Sequence, residues 1–199
     1  PNRLVRVAAG QSTHPWGGEQ IMDWNSASKQ PDGSATTKDR FDVYAVAPYF
    51  GGYLGHFPKS NDTLAMTEEE ILAACDADSM KNNGDGLEGY TQANVTNATE
   101  RGIPLVAYEG GQHLVGVGPP QESQLLTDKL NATNRAVGMQ PIYAADLGRW
   151  KENNGKLFVA FSHASKYSKY GSWGALESQA QDRGTVAKWL GLMDYIATF

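Results

Sequence analysis

Cysteine is nearly absent. Cys75 is the only one among 199 residues, so no disulfide can form within the chain. It lies in the apolar run "ILAAC", the setting of a buried structural thiol rather than of a nucleophile. No stretch of 18 apolar residues occurs, which excludes a helical membrane span. Basic residues are outnumbered, 17 Lys and Arg against 22 Asp and Glu, and they form no cluster. With a net charge of −5, nucleic acid is not an expected partner. The nucleophile-elbow pattern G-x-S-x-G is missing, and with it the usual serine-hydrolase signature. His14, His113 and His163 each follow an expected strand, but no H-x-x-x-H or H-E-x-x-H spacing links any pair, so no metal site is expected. The acidic stretch 76–89, "DADSMKNNGDGLEG", fails as a calcium loop because Met80 stands at the fifth ligand position and the glycine is misplaced. No cofactor motif is found. The dipeptide Asn-Glu is also absent, and its absence acquires meaning below.

What is present has the composition of a soluble globular protein, 40% hydrophobic and 20% charged, long enough to bury one core. A single domain over 1–199 is expected. Short apolar runs alternate with amphipathic stretches four times. Strands are expected at 3–11, 41–52, 103–109 and 156–163. Helices are expected at 17–29, 66–81, around 90–101, 121–137, 141–152 and 185–199. Thr67 and Glu70 form a capping box at the start of the second helix. Near-continuous apolar strands separated by helices indicate an α/β fold with a parallel sheet. No signal peptide opens the chain, yet Pro1 is not a natural start, so an upstream segment removed in maturation is allowed for. Four sequons, at Asn61, Asn94, Asn97 and Asn131, leave the compartment open, leaning toward a secreted or periplasmic setting.

Polar and aromatic residues gather after each strand. Gln11, His14 and Trp16 follow the first, and Tyr49, Phe50 and Tyr53 close the second. Glu109, Gln112 and His113 follow the third, and His163, Tyr167, Tyr170 and Trp173 follow the fourth. The carboxyl ends of parallel strands are where α/β proteins place their sites. Among these residues Glu109 is singular: a carboxylate after Val106-Ala107-Tyr108 is costly to place without partners, and Gly110-Gly111 then permits a sharp turn. Trp173 and Trp16, each beside glycine, suit stacking on the apolar face of a sugar ring, and Tyr49 sits in the shaped turn "APYFGG".

"LVAYEGG" followed by "FSHASKYSKYGSWGALES" resembles strands seven and eight of the retaining (βα)8-barrel glycoside hydrolases of the large clan with two catalytic glutamates. The whole chain then resembles the C-terminal half of such a barrel, strands five to eight, cellulase-like. That resemblance implies four βα units, with Glu109 as the nucleophile, Tyr49 hydrogen-bonding it and Trp173 flooring the sugar site. It implies action on β-linked glycans of the cellulose or β-glucan type, with Trp16, His14, Gln11 and His113 as further substrate-binding residues. The clan's general acid/base is a Glu after Asn at the end of strand four, and no such pair exists here. A half-barrel has two unpaired edges, so dimerisation or docking on a separate N-terminal half-barrel is expected. In a two-fold dimer, His163 of one copy stands where the acid/base belongs relative to Glu109 of the other. Oligosaccharide or polysaccharide is the expected ligand. The alternative is a carbohydrate-binding half-barrel that performs no catalysis.

Overall fold

The computed structural model describes residues 3–24, 37–84, 86 and 89–198. Strand β1 (Val7–Ala9) leads to helix α1 (Pro15–Asp23) and a helical turn α2 (Thr37–Arg40). Strands β2 (Val43–Val46) and β3 (Tyr49–Phe50) precede helices α3 (Lys59–Ala65), α4 (Glu68–Asn83) and α5 (Tyr90–Glu100). Strands β4 (Leu105–Ala107) and β5 (Gly111–Gln112) are followed by α6 (Gln124–Arg135), α7 (Met139–Glu152) and α8 (Ala187–Ile196). The protein is therefore mixed α/β, about half helical, with a few short parallel strands. Among the described residues no helix is long and apolar enough to cross a membrane.

The main sheet has the order β1-β2-β4, every pair parallel, with Ala8 opposite Tyr44 and Tyr44 opposite Leu105. A single parallel bridge, Ala107 to Phe158, adds a fourth extended segment beside β4. Strands β3 and β5 form a separate two-stranded parallel sheet. Three differences from the expected pattern have local causes. The apolar run 41–52 is two strands because Pro48, which has no N–H to donate, interrupts the ladder. The run 156–163 is extended but makes only one bridge, since it bonds β4 and then Gly110 only as far as Phe161 and then turns its backbone bonds to residues 173–176. Helix α3 was not expected, because its polar sequence "KSNDTLA" hides a turn held by the Thr63 hydroxyl donating to the Leu54 carbonyl at 2.9 Å. Residues 25–29 of the first expected helix, and Phe199 of the last, lie outside the described residues.

Where capping chemistry was readable, the helix starts agree. Thr67 Oγ1 accepts from the Glu70 amide at 3.2 Å, and Glu70 Oε2 accepts from the Thr67 amide at 2.8 Å. Such a reciprocal cap is worth about 1 kcal/mol.

Two apolar clusters form the interior. One lies on a face of the main sheet and joins Ala8, Tyr44, Leu105 and Ala107 to Met22, Ala98 and Trp150 from the helices. The other joins Phe50, Ile71, Leu114, Leu126, Ile142 and Tyr143 around the small sheet. Cys75 belongs to the second cluster, fully buried, with its thiol pushed up by desolvation, in keeping with a structural role.

Two charged side chains are also enclosed. Asp146 on α7 accepts from the Ser79 hydroxyl at 2.5 Å and from Asn83 Nδ2 at 2.9 Å, yet burial still pushes its carboxyl up to about 6. Lys188 on α8 is completely buried, donates to the Ser172 carbonyl and lies 4.5 Å from the centre of the Tyr167 ring. Those contacts are worth a few kcal/mol at most, and desolvation outweighs them, lowering the ammonium to about 7. The folded state thus binds fewer protons than the unfolded chain between about 7 and 10.5, so Lys188 makes stability rise with pH across that window. Lys188→Met, which leaves the Ser172 carbonyl its second donor, is expected to be more stable at pH 7 by on the order of 1–3 kcal/mol. Melting curves from pH 7 to 10 would show a several-degree gain at the low end and a flatter profile than wild type.

Candidate functional site

The carboxyl ends of β1, β2 and β4 open into one cleft of about 770 Å³. Gln11, Ser12 and Thr13 line it from the loop after β1, Ala47 and Tyr49 from the end of β2 and from β3, and Tyr108 from the end of β4. Gly52, Tyr53, His56, His113 and, from α4, Asp78 and Asn82 complete the lining. A smaller cleft of about 370 Å³ adjoins it, because Gln11 and Tyr108 belong to both. His14, Gly17 and Ile21 line that second cleft.

Glu109 is half-buried at the tip of β4, near enough to Tyr49 for its charge to act on the phenol. Burial raises the Tyr49 phenol well above its ordinary range, and the Glu109 charge raises it further, so Tyr49 remains a donor at any physiological pH. Burial also lowers His113, with the nearby His56 adding to the effect and Glu109 opposing it. A neutral imidazole beside a carboxylate follows. The rings of Tyr49, His113 and Trp173 meet edge to face in a closed triangle, with centroids 5.3, 5.1 and 5.9 Å apart. Phe161, from the end of the fourth segment, adds a fourth ring 5.9 Å from Trp173. Edge-to-face contacts of this kind hold rings at fixed angles and contribute about 0.5–1.5 kcal/mol each.

The sequence explains how these groups are aimed. After Glu109, Gly110 passes so close to the Phe158 ring that a Cβ would stand 2.5 Å from it, and Gly111 takes φ of 131°. The backbone can therefore turn at once from β4 into β5. Gln112 is fully buried; its amide donates to the Ser172 carbonyl at 2.9 Å and its oxygen accepts from the Leu114 amide at 2.7 Å. This clamp fixes the residue before Trp173 against the strand before His113. The loop after β1 is tied down by α5: Asn94 Nδ2 donates to the Ser12 carbonyl at 2.8 Å and Asn97 Nδ2 to the Pro15 carbonyl at 3.1 Å. Two of the four sequons thus hold the site loop, and Asn94, fully buried, is inaccessible to a glycan in the folded chain.

Of the residues singled out from the sequence, Glu109, Tyr49, His113 and Trp173 are brought together, and Gln11, Tyr49 and His113 line the cleft beside Glu109 and Trp173, which do not. His14 lines the adjoining cleft, whereas Trp16 does not: it is 63% exposed, with its ring 5.7 Å from that of His14. His163 is not part of the cluster: it is exposed and lies 5.8 Å from the Trp189 ring. Sequence reasoning missed Tyr108, His56 and Asp78. The signal for Asp78 was available, since it stands three residues after Cys75 beside the buried stripe Ile71, Cys75, Ser79 and Asn83 of α4. Its Oδ2 accepts from the Gly51 amide at 2.7 Å, and burial holds its carboxyl above the usual range. Among the described residues no group of three His, Cys, Asp or Glu side chains is placed to hold a metal ion.

No family model, no curated protein and no solved structure matches this chain.

The seat of Trp173 depends on one glycine. Gly171 has φ of 121°, and a Cβ there would lie 2.2 Å from the indole. Gly171→Ala is expected to displace Trp173, abolish its near-ultraviolet circular dichroism signature and cost on the order of 1–3 kcal/mol in chemical denaturation.

Proposed function

We infer that the chain is four βα units, half of a (βα)8 barrel, and that its cleft takes β-linked glycan for hydrolysis with Glu109 as nucleophile. The observation that carries this is the setting of Glu109: a half-buried carboxylate at a strand tip whose charge acts on the Tyr49 phenol and the His113 imidazole, two members of the Tyr49–His113–Trp173 ring triangle. A sugar presents hydroxyls that such a site can hydrogen-bond and an apolar C–H face that a ring can cover. Support for the half-barrel comes from the sequential order β1-β2-β4 with the bridge to Phe158, and from the gathering of site residues at the carboxyl ends.

Tyr49, kept protonated, orients the Glu109 oxygens so that one lone pair is free to attack an anomeric carbon. A retaining reaction needs a second carboxyl about 5–5.5 Å from the nucleophile, and an inverting one about 6.5–9.5 Å. No acid/base is identified within this chain, so the donor is supplied across the completed barrel. His163 enters this scheme only from a second copy, as an imidazole competent in proton transfer near neutral pH. Asp78 stands in the same cleft as a group for substrate hydroxyls.

A second reading, binding without turnover, is favoured by the lack of an Asn-Glu acid/base pair in this chain. Turnover of aryl β-glucoside and β-cellobioside separates the two. Hydrolysis is expected in wild type, with a loss of at least 10³-fold in Glu109→Ala and 10–10²-fold in Tyr49→Phe. Titration with cello-oligosaccharides should weaken about 10-fold or more in Trp173→Ala. Binding without any turnover would leave only the second reading, and absence of both would remove the sugar site altogether.

A further inference from the structure

Parallel sheets are normally covered on both faces, and among the described residues this one is covered on one. Ala8, Tyr44, Leu105 and Phe158 project toward Met22, Ala98 and Trp150. The opposite face carries Val7, Val43, Val106, Leu157 and Val159, all aliphatic, and no described helix packs on it. Its outer members are strongly exposed, Val7 at 49%, Leu157 at 66% and Val159 at 44%.

Among the described residues the edge along β1 and the edge along 156–161 are free as well, whereas from Ser162 onward the last edge is taken by the chain's own residues 173–175. The Arg6 carbonyl accepts from Val43 and the Gly10 amide donates to Ala45, so the even residues of this strand point to β2 and the backbone groups of Val7 and Ala9 point away. On the other side the Leu157 carbonyl accepts from Ala107 and the Val159 amide donates to Ala107, which leaves Phe158 and Ala160 facing outward. An exposed apolar edge of this kind recruits another strand.

The two edges suit each other. All strands run the same way, so a two-fold rotation about an axis along them brings the first edge of one copy to the last edge of the other, twice over. Such an isologous contact closes and leaves no edge unpaired. Eight strands also form the barrel size whose interior is filled by side chains, and the small Val and Ala residues on this face permit close approach. Face-to-face stacking of two sheets would bury the same side chains but leave four edges open.

We propose that a second copy of this chain covers the open face, the two copies pairing edge to edge, β1 with the segment 156–161, about a two-fold axis. The proposal rests on the half-barrel reading and is independent of the sugar chemistry.

Light scattering on the full chain, with amide hydrogen exchange in the same buffer, tests it. The expected result is a mass twice the 21.6 kDa of one chain, with the amides of Val7, Ala9, Phe158 and Ala160 slowed by at least 10²-fold relative to an unstructured peptide. Val159→Lys should give a monomer with unchanged far-ultraviolet circular dichroism and fast exchange at those four amides. If that variant does not fold, the wild-type exchange pattern decides alone. A monomer with the four amides fast overturns the second copy and leaves the half-barrel reading standing. A monomer with them slow overturns both, since the edges would then be covered by the chain itself. A dimer with these amides unprotected, or open-ended higher assemblies, overturns the two-fold closure.

Discussion

The Gln112 side chain is the interaction on which the rest of the site depends. Buried completely, it joins the Ser172 carbonyl to the Leu114 amide and so locks the loop that carries Trp173 onto the strand that aims His113. The Ser172 carbonyl takes a second donor from Lys188, which brings the first turn of α8 into the same knot. An unsatisfied amide in this position would cost about 1–3 kcal/mol, so both ends of Gln112 must be met for the fold to close there. Three segments far apart in sequence are thereby held at one place.

Around that knot the electrostatics are consistent. The Glu109 charge acts on Tyr49, and burial raises the phenol and lowers the neighbouring His113 imidazole. Under the proposed sugar reading, carboxylates set among uncharged donors and ring edges suit hydroxyl-rich ligands better than anions. The chain as a whole carries a net charge of −5, which points the same way. The cleft is also wider than the Glu109 cluster, since Asp78, His56 and Asn82 line it beyond Tyr53 and Tyr108.

The packing is one-sided. Helices collect on the face bearing Tyr44 and Trp150, while the Val7–Val106 face stays aliphatic and open among the described residues. The same constraint accounts for the sequence pattern of the strands. Residues alternate between those that meet helices and those that no described helix covers, yet both sets are apolar, as in strands buried on both sides.

Much of this was legible from the sequence, and the division has a physical basis. Local rules act over a few residues, so the Thr67–Glu70 cap, the helices 90–101 and 141–152, the apolar strands and the turn after Glu109 could be read directly. The gathering of polar residues at strand ends could be read too, because a parallel α/β pattern dictates it. Strand lengths could not, since an apolar run extends as a strand only where a neighbour supplies partners; Pro48 and the sparse pairing of 156–163 shortened what composition suggested. Nor could the sequence reveal that Asn94 and Asn97 tie down the loop after β1. Which residues stand together depends on contacts between distant segments, and those are fixed by the closing of the core rather than by any local pattern. Residue types and strand direction were therefore set by the sequence alone, while the meeting of Tyr49, Glu109, His113 and Trp173, and the separation of His163 from them, was decided by the tertiary structure.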